Sequence, residues 1–364
     1  MNVCFRVDAS NEIGSGHIMR CLTIADSLKN RGDQVTFICR NHIGHLSELI
    51  KEKGYDVLKL VNVRDNTQSI ESEFFHTNWL GTSEDEDLSE TVQELKKQHL
   101  KFDWIVIDHY AIGKTWHKKI RKFIPNIMVI DDLADREHDC DILLDQNYFQ
   151  NQYERYTNLV PNDCKQLIGP KYSLLRDEFS ELHDVEKSGN TPKTAIIFYG
   201  GSDPTNETIK AINAVNKFDI HVHVVVGPSN FLKDEIKNLC KDKNINFHYN
   251  INYMAQLMQK ADFAICAGGS TTWERYCVGT PAILTAVAYN QIELCENVGK
   301  LGIDYYLGTH DTIREEDIKQ QVVSFLHMDA NVGKKAKKIV DGKGKTRVLE
   351  WINTIRTNKS TNEG

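Results

Sequence analysis

Short apolar runs of the kind that form buried strands alternate along the chain with longer segments of helical periodicity. The first run is NVCFRV at residues 2–7, and a helix-like segment follows at Cys21–Asn30. A second helix-like segment covers Ser89–His99, and the further strand candidates of this half are QVTFICR, DVLKLV, WIVIDH, IMVIDD and DILLDQ. Such alternation is typical of βαβ units, so we predict a parallel sheet with helices on its faces.

The pattern stops at residues 181–194, where ELHDVEKSGNTPKT is polar and has no apolar period. It then restarts with AIIFYGG, HVHVVVG, INFHYN, DFAICAGG and PAILTAV. A length of 364 residues also favours two domains. We therefore predict two α/β domains, residues 1–185 and 186–357, joined by the polar stretch, with a disordered tail at 358–364.

Composition narrows the class of protein. The net charge of -7 gives no sign of nucleic-acid binding, and the chain has no apolar run of membrane length and no signal peptide. The nine cysteines include no C-x-x-C pair, which favours buried, reduced thiols. We expect a monomeric cytoplasmic protein with no nucleic-acid or membrane partner.

Three predicted strand-to-helix turns are rich in glycine. Glycine allows a sharp turn and a close approach of a ligand, and the start of the following helix attracts anions. The turns are Gly14-Ser15-Gly16-His17, Gly200-Gly201-Ser202-Asp203 and Gly268-Gly269-Ser270-Thr271-Thr272. We interpret the set as a site for an anionic ligand in a cleft between the domains; the alternative is that they are tight turns with polar helix caps.

A dinucleotide site is the obvious rival for these turns. The first turn reads G-S-G-H-I-M-R and lacks the third glycine of the dinucleotide fingerprint. The second strand ends in ICRN, without the acidic residue that would bind a ribose, and there is no Walker motif. We therefore expect no nicotinamide cofactor, and indeed no cofactor of any kind.

Polar groups that can titrate cluster where strands end, at Asp8, Asp108-His109-Tyr110, Asp131-Asp132 and Asp145-Gln146-Asn147. These ends share one edge of a parallel sheet, so the groups can converge with His17. A histidine at a phosphate site can activate water, and we expect Asp8 to orient the His17 ring. The alternatives are that His17 only bonds the ligand and that His109 only closes a strand. No metal-binding motif stands out.

Five stretches together resemble the nucleotide-sugar hydrolase family of pseudaminic acid biosynthesis (PseG type). They are RVDASNEIGSGHIMRCLTIADSL, IVIDHY, YSLLRDEF, GGSDPTN and AICAGGSTTWERYCVGTPAILTAVAYNQ, and they extend from residue 3 to about residue 307. The resemblance implies two Rossmann-like domains whose parallel sheets face across a cleft, the glycosyltransferase-B (GT-B) arrangement. It implies metal-independent, inverting hydrolysis of UDP-2,4-diacetamido-2,4,6-trideoxy-β-L-altropyranose.

The resemblance also assigns roles to residues. His17 matches the catalytic histidine of the family, Tyr110 the tyrosine of its I-D-H-Y motif, and Glu274 the acidic residue that holds the ribose. Uracil is expected near residues 248–254. Asn290 matches the asparagine of the family's N-Q pair and is expected near the diphosphate or sugar. From the residues themselves we add Asp8 as a catalytic candidate. The further candidates for binding the UDP-sugar substrate are Gly14, Gly16, Arg20, Gly201, Ser202, Gly268, Gly269, Ser270, Thr271, Thr272 and Gln291.

Three other functions stay open at the level of sequence. A glycosyltransferase would have the same fold and the same UDP site but would pass the sugar to an acceptor. A hydrolysing 2-epimerase would change the configuration at C2. A catalytically silent binder would take up the nucleotide sugar without turnover, although the presence of both His17 and Tyr110 argues against it.

Overall fold

The computed structural model describes residues 1–61, 76–98, 101–187, 193–241, 244–329 and 331–362, with side chains as far as Arg356. The chain divides into two compact units. The first unit holds Met1–Gln146, Asn151–Leu174 and the last segment from Lys345, and the second holds Asn147–Gln150 and Leu175–Gly344. Each unit contains a parallel sheet with helices, which confirms the predicted fold class of two parallel-sheet α/β domains.

The sheet of the first domain has seven strands in the order β3-β2-β1-β4-β5-β6-β7. They are β1 Asn2–Val7, β2 Gln34–Arg40, β3 Asp56–Leu60, β4 Trp104–Asp108, β5 Asn126–Ile130, β6 Ile142–Asp145 and β7 Lys165–Ile168. Its helices are α1 Gly16–Asn30, α2 Ser47–Glu52, α3 Glu84–Lys97 and α4 Lys114–Ile120, with 3₁₀ turns at Thr77–Leu80 and Pro170–Tyr172. All neighbouring strands are parallel.

The sheet of the second domain has six strands in the order β10-β9-β8-β11-β12-β13. They are β8 Thr194–Phe198, β9 His221–Val226, β10 Ile245–Tyr249, β11 Phe263–Ala267, β12 Ala282–Ala286 and β13 Tyr305–Thr309. The helices are α5 Asp177–Glu181, α6 Glu207–Val215, α7 Lys233–Leu239, α8 Met254–Lys260, α9 Thr271–Cys277, α10 Ile292–Gly299, α11 Glu315–Leu326 and α12 Asn331–Ile339, with a 3₁₀ turn at Tyr289–Gln291.

Both faces of each sheet are covered by apolar clusters, which explains why the strands are continuous apolar runs. In β1, Val3, Phe5 and Val7 point into one cluster of the first domain, and Cys4 points into the other. In the second domain Ile196 and Ile197 of β8 likewise enter opposite clusters. All nine cysteines are buried, as predicted.

The domain boundary differs from the sequence prediction. The long segment of the second domain begins at Leu175 rather than at residue 186, because α5 already packs there through the buried Phe179. Residues 181–187 of the expected linker therefore belong to the second domain, and residues 188–192 lie outside the described part of the chain.

The end of the chain also differs from the prediction. The last helix, α13 Gly344–Asn362, continues past residue 357, so most of the expected disordered tail is helical; residues 363 and 364 lie outside the described part. Its buried residues Val348 and Ile352 join a core cluster of the first domain. The domains are therefore not two consecutive stretches of sequence.

Candidate active site

The order of strands in the first sheet reverses between β1 and β4, and ligands of open α/β sheets bind beside such a reversal. Two of the predicted polar groups meet there. His17 lies in the first turn of α1, directly after β1, and Asp108 is the last residue of β4. The Nδ1 atom of His17 is 2.6 Å from Oδ1 of Asp108. Both side chains are buried, and they form a histidine–carboxylate pair.

Arg20 holds the carboxylate of this pair in place. It lies one helical turn after His17 in α1, so both side chains project from the same side of the helix. Its Nε and Nη2 atoms each lie 2.6 Å from an oxygen of Asp108, and its Nη1 is 3.2 Å from Oδ2 of Asp132. The Arg20 guanidinium, a candidate for substrate binding in the sequence analysis, is thus paired with two carboxylates.

The charge of Asp108 selects one tautomer of the neutral His17 ring. Burial alone would raise the pKa of Asp108, but the adjacent Arg20 guanidinium and His17 outweigh burial and hold that pKa well below its usual range. Asp108 is therefore ionised and can only accept a hydrogen bond, so the Nδ1–H of His17 donates to it. In the neutral ring the other nitrogen, Nε2, carries no proton and can accept one.

Aromatic rings surround the His17 imidazole. Tyr110 meets it edge-on with ring centroids 4.7 Å apart, and the Tyr110 hydroxyl donates a hydrogen bond to Asp132. Burial and the nearby Asp132 raise the pKa of Tyr110 well above its usual range, so its hydroxyl stays protonated. Trp79 and His76, from the segment around the first 3₁₀ turn, complete the group. Sequence analysis missed both, because HTNWL has neither a strand pattern nor a glycine turn.

Asp8, which sequence analysis assigned to orient the His17 ring, does not contact it. Its Oδ1 accepts hydrogen bonds from Nη1 of Arg6 at 2.6 Å and from the backbone N–H of Arg40 at 2.7 Å. Its Oδ2 lies 3.2 Å from Nε2 of His109. This contact agrees with the alternative that His109 has a structural role at the end of its strand. The prediction for Asp8 is wrong because β4 pairs directly with β1 and brings Asp108 to His17.

The other strand-end carboxylates of the first sheet are held within the fold. Oδ1 of Asp131 is 2.8 Å from Nη2 of Arg136, and Oδ2 accepts a 3.0 Å hydrogen bond from the Tyr156 hydroxyl. The same hydroxyl lies 3.3 Å from Oδ2 of Asp145. These groups share the sheet edge with His17, as predicted, but they pair with arginine and tyrosine.

The first glycine turn leaves the start of α1 open. Gly14 has a φ of 77°, a conformation that favours glycine, and its N–H donates to the Ser10 carbonyl at 2.9 Å. A Cβ atom at Gly14 or Gly16 would meet nothing within 4 Å. The need for glycine here thus comes from the backbone angle of Gly14 and not from crowding.

In the second domain the two remaining glycine turns also flank a strand reversal, between β8 and β11. Gly201 follows β8, and a Cβ atom on Gly227 would lie 2.4 Å from the Cα of Gly201, so the two loops touch through glycine. Ser202 lies beside it, and the buried Asp203 accepts the N–H groups of Glu207 and Thr208, each at 3.0 Å. This turn caps α6, as the alternative interpretation proposed.

The third glycine turn follows β11 and begins α9. A Cβ atom on Gly268 would lie 2.2 Å from Sγ of Cys295, and Gly269 has a φ of +126°, so both positions require glycine. Ser270, Thr271 and Thr272 form the start of α9, where the N–H of Thr272 donates to the Gly269 carbonyl at 3.0 Å and that of Trp273 to the Ser270 carbonyl at 3.1 Å. Gln291 packs beside the turn and accepts the Val287 N–H at 3.0 Å, and its neighbour Asn290 is exposed.

Glu274 lies one turn into α9. Its Oε1 is 3.0 Å from Nε of Arg176, whose Nη1 is also 2.6 Å from Oε1 of Glu178. Burial raises the pKa of Glu274, and Arg176 acts against that shift. The Glu274 carboxylate, which is predicted to bind the ribose, therefore lies beside the glycine turn and is paired with Arg176.

The described residues lack two further kinds of feature, a metal site and a membrane-spanning helix. No group of three or more His, Cys, Asp or Glu side chains in that part of the chain is placed to hold a metal ion. None of the described helices is long and apolar enough to cross a bilayer.

Comparison with known proteins agrees with this architecture. The glycosyltransferase family 28 C-terminal domain matches residues 195–349, from the first strand of the second domain to the beginning of α13. A UDP-2,4-diacetamido-2,4,6-trideoxy-beta-L-altropyranose hydrolase of Campylobacter jejuni is 27% identical over 74% of this chain and 86% of its own length. The spore coat polysaccharide biosynthesis protein SpsG of Bacillus subtilis is 25% identical over 98% of both chains.

Solved structures share the fold over nearly the whole chain. MurG of Acinetobacter baumannii superposes with a TM-score of 0.65 at 14% identity and covers 97% of this chain and 99% of its own. UGT89C1 of Arabidopsis thaliana, in complex with UDP, gives a TM-score of 0.65 at 13% identity, with 96% and 99% covered. The chain therefore has the GT-B fold, and its C-terminal half is similar to a glycosyltransferase family 28 domain.

Proposed function

We propose that this protein hydrolyses UDP-2,4-diacetamido-2,4,6-trideoxy-β-L-altropyranose to UDP and the free sugar, with inversion at the anomeric carbon and without a metal, in pseudaminic acid biosynthesis. The observation that carries the reaction type is the His17–Asp108 pair at the strand reversal of the first sheet. The name of the Campylobacter jejuni relative supports the choice of substrate.

The proposed step uses water as the nucleophile. Nε2 of His17 takes a proton from water while the water oxygen forms a bond to the anomeric carbon on the face opposite UDP. The bond from that carbon to the phosphate oxygen breaks, and its electron pair leaves with UDP. Asp108 stabilises the imidazolium that forms, and a base placed in this way contributes about 10²–10⁴-fold to the rate.

Two residues of the first domain act on the base rather than on water. Arg20 keeps Asp108 ionised and fixed, which makes it a positioning residue. Tyr110 packs against the His17 ring, and its hydroxyl is fixed by Asp132. We propose that Tyr110 also contacts the sugar, since its ring borders the base.

The second domain is proposed to bind the UDP part. The positive end of the α9 dipole suits the diphosphate, and Gly268 and Gly269 keep the approach free of side chains. The Glu274 carboxylate is proposed to accept hydrogen bonds from the ribose hydroxyls. The backbone of Gly201 and Ser202 and the side-chain amides of Asn290 and Gln291 are proposed to make further contacts with the UDP-sugar. Uracil is proposed to bind near residues 248–254.

A glycosyltransferase is the second candidate. The match to a glycosyltransferase family 28 domain favours it, because that domain covers the proposed UDP site. In a transferase the same base would take a proton from an acceptor hydroxyl instead of from water. Release of UDP in the absence of any acceptor separates the two functions.

Proton NMR of the purified protein with the proposed substrate, without acceptor and with EDTA, tests the proposal. We expect UDP and the inverted anomer of the free sugar to appear together. A His17→Ala variant should bind UDP and release none from the substrate. Turnover by the wild type only after an acceptor is added would establish the transferase instead, and near-normal turnover by His17→Ala would refute the role of His17.

A further inference from the structure

Trp79 is the aromatic residue next to His17 that the proposed reaction does not use. It lies in the 3₁₀ turn Thr77–Leu80, where its N–H donates to the His76 carbonyl at 3.0 Å. Gly81 ends the turn with a φ of 71°, and the buried Leu80 anchors it in the core. The backbone of Trp79 is therefore fixed by the fold.

Three rings hold the indole in one orientation. Trp79 stacks on Tyr110 with ring centroids 5.6 Å apart and 28° between the planes, and its centroid is 4.2 Å from that of His76. The His17 ring stands at 85° to it, 6.3 Å away. The indole thus forms a rigid apolar wall beside the proposed base.

The exposure of Trp79 sets it apart from most tryptophans of the chain. Trp104, Trp116 and Trp273 are fully buried. Trp79 and Trp351 are only partly buried, and Trp351 is covered by Nζ of Lys165, 3.8 Å from its ring. Trp79 therefore offers apolar surface next to a group that is proposed to react. Ligand sites commonly combine an aromatic wall with a few polar groups in this manner.

We infer that Trp79 determines the specificity of the site for 6-deoxy sugars, through contact with the C–H groups and the C6 methyl of the pyranose. This inference rests on the proposed function. A C6 hydroxyl in contact with the indole would lose its hydrogen bonds to water and gain none from the protein. Binding of the hydroxylated sugar is therefore disfavoured. Apolar pockets discriminate against an added hydroxyl by about 10²-fold at most, so a preference of about 10- to 100-fold is expected.

Two UDP-sugars that differ only at C6 test the inference: the proposed substrate and its 6-hydroxy counterpart. We expect Trp79→Ala to lower kcat/KM for the deoxy substrate at least tenfold, chiefly through KM, and to bring the ratio between the two substrates close to one. Trp79→Phe, which keeps an aromatic face, should retain most of the preference. An unchanged ratio in Trp79→Ala, or an equal loss for both substrates, would overturn the inference.

Binding separates a failure of this inference from a failure of the proposed function. If the wild type turns over neither sugar, hydrolysis is refuted, and tryptophan fluorescence still tests the contact. We then expect the deoxy UDP-sugar to change the emission of the wild type and of Trp351→Phe beyond the change that UDP alone causes, and Trp79→Phe to lose this difference. A wild type without any change, or a Trp79→Phe variant with the full change, would overturn the role of Trp79.

Discussion

His17 and Asp108 are 91 residues apart in sequence, yet Nδ1 of the first lies 2.6 Å from Oδ1 of the second. The register of the sheet produces this contact, since β1 pairs with β4 and Val7 lies opposite Asp108. The buried carboxylate then selects the tautomer that leaves Nε2 free to accept a proton.

Asp108→Asn tests whether this tautomer matters. An amide can donate to Nδ1, which would move the ring proton to Nε2 and remove the base. We expect UDP release to fall by about 10²–10⁴-fold while UDP binding is kept. The double variant His17→Ala/Asp108→Asn should be no slower than His17→Ala alone, because the two residues act as one unit. An Asp108→Asn protein that is folded and nearly as fast as the wild type would contradict the assignment.

Arg20→Met tests the electrostatic role of Arg20. Without the guanidinium, burial dominates and the pKa of Asp108 rises. Asp108 then becomes protonated as the pH falls, so the acid limb of the profile of kcat/KM against pH should move to higher pH. Arg20→Lys, which keeps a positive charge, should move it less. An acid limb in Arg20→Met at the wild-type position would show that Arg20 does not control Asp108.

The sequence predicted the strands that are continuous apolar runs but not those that are short or polar. NVCFRV matches β1 residue for residue, because both of its faces are buried. KQLI, which forms β7, has four residues, of which only the last two are buried, so its pattern is too weak to predict a strand. The return of α13 to the first domain was also missed, because an amphipathic helix does not reveal which core it packs on.

The site was predictable in its position but not in its partners. The glycine turns after β1 and β11 identified His17 and the start of α9, because the backbone geometry of a turn depends mainly on the residues within it. The partner of His17 depends on which strand lies next to β1, a long-range property. Asp8, nearer in sequence, was chosen in place of Asp108 for that reason.

Glu274→Gln tests the proposed ribose contact. A hydrogen bond to a charged group contributes about 1.5–3 kcal/mol, so the Kd for UDP should rise about tenfold to a hundredfold. Wild-type protein should prefer UDP to 2′-deoxy-UDP, and the variant should lose much of this preference in calorimetric titration. Glu178→Gln is the matched control, because Glu178 shares Arg176 but is not assigned to the ribose. Equal discrimination by Glu274→Gln and wild type would exclude the contact.

Asp87→Asn tests the buried charges beneath the first sheet. Oδ2 of Asp87 lies 2.6 Å from Nη2 of Arg6 and 2.8 Å from Nη2 of Arg40, and all three side chains are fully buried. Removal of the carboxylate charge leaves two buried arginines, so we expect a loss of about 3–5 kcal/mol in the free energy of unfolding.

The pH dependence of that loss has a definite sign. Burial would raise the pKa of Asp87, but Arg6 and Arg40 lower it below the usual value. Its stabilising effect is thus present at neutral pH and is lost as the pH falls below about 4. Asp85→Asn, on the same helix and in an exposed pair with Lys119, should cost at most about 1 kcal/mol in urea unfolding. Similar losses for both variants would contradict the prediction.

Lys187 gives stability a dependence on pH of the same sign as Asp87, but in an alkaline range. Its Nζ donates to the Ala261 carbonyl oxygen at 2.7 Å and to Oγ1 of Thr280 at 2.6 Å. Burial lowers the pKa of Lys187 to about 7, and Asp262 acts weakly against that shift. In the unfolded chain the pKa of a lysine is about 10.4, so between roughly pH 7 and pH 10 only the unfolded state holds the proton.

Folding is therefore favoured as the pH rises through this window, and the advantage is lost as the pH falls toward 7. Lys187→Met cannot titrate, so the free energy of unfolding of the wild type minus that of the variant should increase from pH 7 to pH 9 in urea titrations. Lys217→Met, which removes an exposed ammonium, is the control for general effects of charge. A difference for Lys187→Met that is as flat with pH as that of the control would show that Lys187 keeps its proton on folding.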